Sequence, residues 1–589
     1  MRATVALAQS PLFQEPIEEL PFFQSIKLSY TRVKAIADLY SELDAVELRI
    51  GNFWLLTGRR PELTASDILH FSPRYWELLT DPILSMDGSV VTLLAIQYNL
   101  CIGTLVNFVE SRPDIEKVIS EALDYRILIQ FCLTEIDHGL NAINIETSAT
   151  LQVNGEFLLH TPHSGATKYM PSTCPLGIPS LAIVFARLVV NGEDYGIRPF
   201  LVKLHDGFKM DPGITSRQVK EGTVSMLLPP RGTSRPIGHS LASFNQVRLP
   251  SSALLGKLEK PHNIRECFFE SIQRVVGGTL SMGAWAISSL RLGCYIAAAY
   301  SLRREVLDAS TQVMRPISSF STQYIPLLSS IARTLVFLAW SQDVYERFVD
   351  QNISHTQKHF ITSVFKTTIF RHTPEILLQL GDRCGAQGLF SVNQLFVLHT
   401  ESRGAAIAEG DILGFAIDTL RGKVKIYKPK FPDHLLAKHE DFVVSELRRF
   451  LAQNSDHRGA ETERMLLPQC CGVLESIGHR WAYEAALARG VSQPIIELFV
   501  ASLFDLDAAW YAENCGITRW KQKTLLVERA TALYEDLPQL LKLLDVENYI
   551  TAPIVSKERW ERYTLELPCY TTEPKRLTQI KSILYNPHA

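Results

Sequence analysis

The chain has no Cys-x-x-Cys pair: its ten cysteines are scattered through 589 residues, and the one adjacent couple, Cys470 and Cys471, is geometrically poor for bridging to itself. This absence points to a reducing, intracellular compartment. Charge of one sign is lacking too. Lys and Arg number 59 against 62 Asp and Glu, and neither gathers into a block that would follow a phosphate backbone, so nucleic acid is not an expected partner. Met1 to Pro16 carries acidic and proline residues where a secretory signal needs a basic and then an unbroken apolar run. The most apolar stretch, Val275 to Tyr300, is interrupted by Arg291 and studded with Gly and Ser, which reads as a buried helix and not a membrane span. The ending Asn586-Pro587-His588-Ala589 is not the usual peroxisomal tripeptide, which leaves a peroxisomal or a cytoplasmic location open. Internal repeats, coiled-coil heptads and low-complexity tracts are also missing.

What is present is the composition of a globular protein, 46% hydrophobic and 21% charged, at a length that implies several domains. From about Ile26 to Asp124 apolar residues recur every three or four positions, as in Val90-Val91, Leu93-Leu94, Ile96 and Leu100, which predicts a helical domain over 1–128. Between 129 and 258 the texture turns to short β-rich runs. Two Asn-Gly pairs, Asn154-Gly155 and Asn191-Gly192, mark hairpin turns, and Ala242 to Leu249 reads as a closing strand, so an antiparallel barrel or sandwich is expected there. Helical patterns return over Ile272–Ala309, Tyr324–Asn352 and Ile361–Gly381, lengths that suit a bundle spanning 259–430. A second helical region follows over 431–589, with Leu466–Gly490, Ile495–Asn514 and Thr524–Leu544 as its helices and Trp510 and Tyr511 as packing anchors. The expected fold class is therefore α+β and multidomain.

Four short segments carry chemistry in this order: Leu133-Thr134-Glu135-Ile136-Asp137-His138-Gly139, Lys168-Tyr169-Met170-Pro171-Ser172, Cys384-Gly385-Ala386-Gln387-Gly388 and Ala408-Glu409-Gly410-Asp411. Together with the helix, β, bundle, helix layout they resemble the acyl-CoA oxidase and acyl-CoA dehydrogenase superfamily, most closely the oxidases, over roughly 78–425. The first segment is similar to the family's Leu-Thr-Glu-x-Gly-His-Gly, and the second to its Lys, aromatic pair, Pro and Gly. Asp137 stands where Gly is usual, and Ile412 where relatives often place Asn.

The resemblance implies FAD as hydride acceptor, an acyl-CoA or similar acyl thioester as substrate, and Glu409 as the base that takes its α proton. It implies that Gly410 allows the tight backbone by which the Glu409 amide polarises the thioester oxygen. Thr134, Gly139 and Ser172 would meet the flavin from the β domain. Arg304, four residues after Tyr300 and so on the same helix face, would meet its pyrophosphate, with Gln323, Gly385, Gln387 and Gly388 beside the nucleotide half. In relatives these contacts cross a subunit interface, so at least a homodimer is implied. The extra region after Asp433 fits oxidases, in which O2 reoxidises the flavin to give H2O2, as in fatty-acid β-oxidation. A dehydrogenase-like desaturase of an unusual or carrier-bound acyl group, or an inactive flavin-binding scaffold, are the alternatives.

Plainer readings stand beside each residue. Glu409 is also consistent with a solvated carboxylate before a helix over Ile412–Leu420 with Asp411 as its N-cap. Thr134 and Ser172 are common in strands and loops, and Arg304 beside Arg303 is a typical surface cation. The Gly385–Gly388 string also suits an ordinary helix terminus. No metal is expected: His138 has no second ligand at useful spacing.

Overall fold

A computed structural model describes residues 4–568 apart from 18–19, 41–47, 51–52, 56–61, 212–221, 233, 414–427, 455 and 457–458. Of the expected helix over Ile412–Leu420, only Ile412 and Leu413 fall within these, both helical, with the Leu413 amide donating to Asp411 Oδ1 at 2.9 Å; the rest of it and the chain's last residues lie outside.

The amino-terminal region is built on helix α1 (Phe22–Tyr40), a small hairpin of β1 (Leu48–Ile50) with β2 (Phe53–Leu55), then α2 (Ala65–His70), α3 (Pro73–Leu79), α4 (Gly88–Leu94) and α5 (Asp114–Leu123). The helix begun by α4 does not stop at Leu94 but widens into a π-helical stretch, Ala95–Ile102. Such widening is found most often beside functional sites. Here it turns Gln97 and Cys101 toward the first long strand: Gln97 Oε1 accepts from the Ile129 amide at 2.8 Å and Cys101 Sγ donates to Ile129 O.

Strands β3 (Leu128–Cys132), β4 (Ser148–Leu151), β5 (Phe157–His160), β7 (Ser180–Val190), β8 (Glu193–His205) and β11 (Val247–Leu249) form one sheet, while β6 (Lys168–Tyr169), β9 (Gly222–Leu227) and β10 (Ser240–Asn245) form a smaller one. Both Asn-Gly pairs make the hairpins read from sequence. At the second, Asn191 and Gly192 have φ of 51° and 83°, the two left-handed residues that the two-residue turn demands. The pairing is antiparallel except at β7, which runs parallel to β3 and β4. The closing segment 242–249 is not one strand. Gln246 takes φ 53°, and that kink passes the chain from β10 in one sheet to β11 in the other.

The bundle consists of α6 (Arg274–Arg303), α7 (Ser321–Val349), α8 (His355–Arg383) and α9 (Leu395–Ile407). The helix expected to reach Ala309 ends at Arg303, where the chain turns into a hairpin of β12 (Glu305–Leu307) with β13 (Met314–Pro316). In the last region two expected helices each divide: 495–514 breaks at a 3-10 turn over Phe504–Asp507, and 524–544 breaks between Ala532 and Leu537. Trp510 and Tyr511 are buried as expected. Two helical stretches, Gly88–Phe108 and Ser321–Val349, are long and apolar enough to cross a membrane, yet 83% and 67% of their most apolar windows pack inside the protein. Among the described residues all nine cysteines are free.

A single apolar core runs from the amino-terminal helices through the bundle into the last region, and the β domain keeps a smaller core of its own. The joint between the two ends of the chain is polar as well as apolar: Thr4 Oγ1 meets the Tyr549 hydroxyl at 2.9 Å, and Arg291 of α6 donates to Leu544 O at 2.7 Å. The site described next lies where α6, the π-helical stretch and β3 converge.

Candidate active site

Glu409 follows the last turn of α9 and sits in the left-handed region, φ 57°, with Gly410 after it at φ 94°. A glutamate there costs of order 1–3 kcal/mol unless its surroundings hold it. The holding groups are side chains from two helices. Lys366 Nζ, buried in α8, donates to Ala408 O and, at 2.6 Å, to Gly410 O; Thr279 Oγ1 of α6 donates to Glu409 O at 2.6 Å. Three successive carbonyls are thereby used. The amides of Glu409 and Gly410 donate to nothing among the described residues.

The Glu409 carboxyl points to the first turns of α6. A Cβ on Gly278 would collide with it, and with Asn99 Nδ2 at 2.9 Å, so the missing side chain of Gly278 is the space that the carboxyl occupies. Asn99 comes from the π-helical stretch and is locked by Arg274, whose Nε reaches Asn99 O at 3.0 Å and whose Nη2 reaches Asn99 Oδ1 at 2.9 Å. The rest of the Arg274 guanidinium donates to Leu69 O and Ile68 O and lies 3.9 Å over the Phe71 ring. Burial raises the Glu409 carboxyl to about 8, against the pull of the Lys366 and Arg274 cations. Burial likewise lowers Lys366 to about 7 and Arg274 to about 10. Desolvation therefore outweighs attraction at the carboxylate, which gives a stronger base than a solvated one. The solvated-carboxylate reading of Glu409 does not hold.

In the β domain, the Thr134 carbonyl accepts from the Tyr169 amide at 2.9 Å, which joins the first two motifs directly. Neither the Thr134 amide nor its hydroxyl donates to a described residue, and no atom lies within 4 Å of a Cβ placed on Gly139. Around them Ile136, Leu140 and Tyr169 are exposed. Unspent donors beside an uncovered apolar surface are what a flavin ring, polar at one edge and apolar on its faces, would use; the donor set fits it. Ser172 contributes less. Its amide is spent on Gln130 Oε1 at 3.2 Å, and its hydroxyl is buried next to Tyr30 of α1 without a hydrogen bond of normal geometry. Asp137 does not take a positive φ, so the glycine usual there is not required by this backbone; its amide donates to Gly165 O. Glu135 and Lys168 form a buried ion pair at 2.9 Å.

Arg304, Gln323, Gly385, Gln387 and Gly388 assemble elsewhere. Gln323 Nε2 donates to Arg383 O at 2.7 Å, and Ile317 N to Arg304 O at 2.7 Å, which draws the end of α6, the start of α7 and the end of α8 together. Gly388 packs so closely on Gly381 that no Cβ fits, Gly385 has φ 58° with open space around it, and Gln387 Oε1 accepts from Asn393 at 3.1 Å. The Arg304 side chain is exposed. From Gly278 to Arg304 is 26 helical residues, about 39 Å at 1.5 Å each. Within one chain, α6 thus holds Arg304 far from the Glu409 carboxyl at Gly278.

Asn99, Arg274, Gly278, Thr279 and Lys366 escaped the sequence reading. The signal for Gly278 was there, since Gly277-Gly278 interrupts a helical pattern and such glycines usually answer a close approach. Lys366 was visible only as a lone cation in an apolar helix. A further polar cluster was also missed: His372 of α8 and His479 share a 2.7 Å hydrogen bond beside Glu475, whose Oε1 lies 3.4 Å from His372. Arg371 pairs with Glu475 and Arg333 approaches His372, so two guanidiniums oppose a cation there and both imidazoles are held well below their ordinary range by burial and by Arg333.

A helical domain, a β domain and a helical bundle thus meet at a desolvated glutamate. No family model matches the chain. It is 22% identical over 420 residues to acyl-coenzyme A oxidase 2, peroxisomal, of Arabidopsis thaliana, covering 67% of this chain and 58% of that one. The chain thus spans less than two thirds of that relative's length. Its structure matches acyl-CoA oxidase 1 of Yarrowia lipolytica with a TM-score of 0.77 at 16% identity, over 99% of this chain and 93% of that one. It also matches acyl-CoA oxidase-2 of Caenorhabditis elegans, solved with FAD, an ascaroside-CoA and ATP, with a TM-score of 0.66 at 18% identity over 99% and 98%. The chain thus shares the fold of the acyl-CoA oxidases.

Proposed function

We propose that the chain is an FAD-dependent acyl-CoA oxidase that converts an acyl-CoA to the trans-2-enoyl-CoA, with O2 taking up the electrons as H2O2. The observation that carries this reading is the desolvated Glu409 carboxyl on a turn whose own amides are unspent. Glu409 removes the proton from Cα. Its amide and that of Gly410 polarise the thioester oxygen, where charge grows as the proton leaves. FAD, when bound, accepts the hydride from Cβ. Thr134 and Gly139 would receive the flavin ring from the β domain, with the Ser172 backbone as a minor contact. The plant relative is named peroxisomal, and the location we infer is peroxisomal or cytoplasmic.

The test is anaerobic mixing of the flavin-loaded protein with saturated acyl-CoAs of graded length, then admission of O2. Bleaching of the flavin followed by peroxide supports an oxidase, bleaching without peroxide a dehydrogenase-like desaturase, and no bleaching with any thioester removes the enzyme reading.

The length of α6, about 39 Å from Gly278 beside Glu409 to Arg304, leads us to infer a homodimer in which each chain completes the other's FAD site. Arg304→Ala is therefore expected to release FAD on dilution while the protein stays folded. Mixing Arg304→Ala with Glu409→Gln is expected to regenerate one intact site per heterodimer, read as partial recovery of flavin reduction. Gly278→Ala is expected to drive the Glu409 carboxyl out of its recess and slow reduction by about 10²-fold, with an unchanged far-ultraviolet circular dichroism spectrum as the check on folding.

A further inference from the structure

The turn that carries Glu409 is unusual in what it spends and what it keeps. A left-handed glutamate followed by a left-handed glycine directs neighbouring carbonyls inward, and inward carbonyls without partners would be costly. Ala408 O and Gly410 O both accept from Lys366 Nζ, and Glu409 O, between them, accepts from Thr279. Lys366 is 1% exposed and belongs to the middle of α8, on a helix whose neighbours here are Ile361, Phe365 and Phe370. A lysine in such a position is rarely left without a task, because its ammonium must give up most of its hydration. Its bonds do not go to a carboxylate but to main-chain oxygens on either side of Glu409.

We propose that Lys366 is a positioning residue for Glu409: with Thr279 it ties down three consecutive carbonyls, which fixes the strained turn, aims the carboxyl at Gly278 and leaves the Glu409 and Gly410 amides free for the substrate carbonyl. This rests on the reading of Glu409 as the base. The protonated fraction of Lys366, which its lowered value of about 7 makes partial near neutral pH, has a second effect by charge. The groups facing the carboxyl are Lys366 from α8, Arg274 from α6, Tyr75 from α3 and Cys101 from the π-helical stretch, of which only Lys366 and Arg274 are cationic, while Asp411 on the same turn faces Lys366. Taking Lys366 away leaves the carboxylate with Arg274 alone, so the carboxyl becomes harder to ionise.

The experiment uses full-length, flavin-loaded Lys366→Met beside the parent chain. Hydrogen exchange of the peptide covering 404–413 is expected to quicken while peptides from the β domain are unchanged. Flavin reduction is expected to slow by about 10²-fold, and its base limb to move toward higher pH, not lower, as the pull of Lys366 on the carboxyl is lost. Unchanged exchange over 404–413 in the folded variant overturns the clamp whatever the rate. Glu409→Gln, run in parallel, separates the two claims: full reduction by that variant removes the base reading, while the exchange result still judges Lys366. If Lys366→Met does not fold, Lys366→Gln and Thr279→Val are scored by the same exchange criterion, and both remaining parent-like also overturns the proposal.

Discussion

Glu409→Gln is expected to slow anaerobic reduction of the bound flavin by acyl-CoA by about 10³-fold, the largest effect of any single substitution in the chain, with flavin content unchanged. The amide keeps the shape that fills the recess at Gly278 but cannot accept the α proton. The parent protein carries a pH signature of the same residue. With its carboxyl raised to about 8, Glu409 is protonated and idle below that pH and becomes a base above it, so the rate of reduction in the free enzyme rises with pH through about 8. Glu409→Gln abolishes that rise along with the rate. Stopped-flow absorbance of the flavin band from about pH 6 to about pH 10 reads both; a variant that reduces flavin at the parent's rate, or a parent whose rate does not rise between those limits, would falsify the assignment.

Glu409 is legible in the sequence because it stands in a short, ordered set of motifs, and the layout is legible because texture changes from period 3.6 to period 2 and back along the chain. The environment that buries its carboxyl is not. Asn99, Arg274, Gly278 and Lys366 lie between 43 and 310 residues away from Glu409 in sequence, and nothing local to any of them says that they share one recess. The boundary errors have local causes instead. Gln246 adopts a conformation uncommon for its type, so a run that reads as one strand changes sheets. The helix ending at Arg303 was expected to continue because Glu305, Val306 and Leu307 keep an amphipathic rhythm, but they pair with Met314–Pro316 as a hairpin. Ser172 shows the limit of motif transfer: its position matches, while its amide is consumed by Gln130 and its hydroxyl faces α1. The distal cluster around Arg304 was expected at the cofactor and lies at the far end of α6 from Gly278, a separation that no local feature of the sequence expresses.

The second large effect is on stability and concerns the ion pair under the β-domain motifs. Lys168 Nζ bonds Glu135 Oε1 at 2.9 Å, Phe185 O at 2.7 Å and Leu133 O at 3.2 Å, while Glu135 also accepts from the amides of Glu146 and Thr147 at 2.7 and 2.9 Å. Both side chains are fully buried. Lys168→Met removes the cation and three donors but leaves a buried carboxylate, so the β domain is expected to lose about 3–5 kcal/mol. Glu135→Gln with Lys168→Met is expected to lose less than the lysine change alone, because no unpaired charge remains. The pair also sets an acid limit. Glu135 is held below the ordinary carboxyl range by Lys168 and the two amides, against burial, so its contribution is complete at neutral pH and is lost as pH falls through the depressed folded value. Hydrogen exchange of peptides from β3 to β7, measured at about pH 7 and again near pH 4, gives the opening free energy directly. A Lys168→Met protein whose β3 and β7 amides exchange as slowly as the parent's would show that the motif's lysine is dispensable to the fold, and would leave the Thr134–Tyr169 junction to be explained by backbone pairing alone.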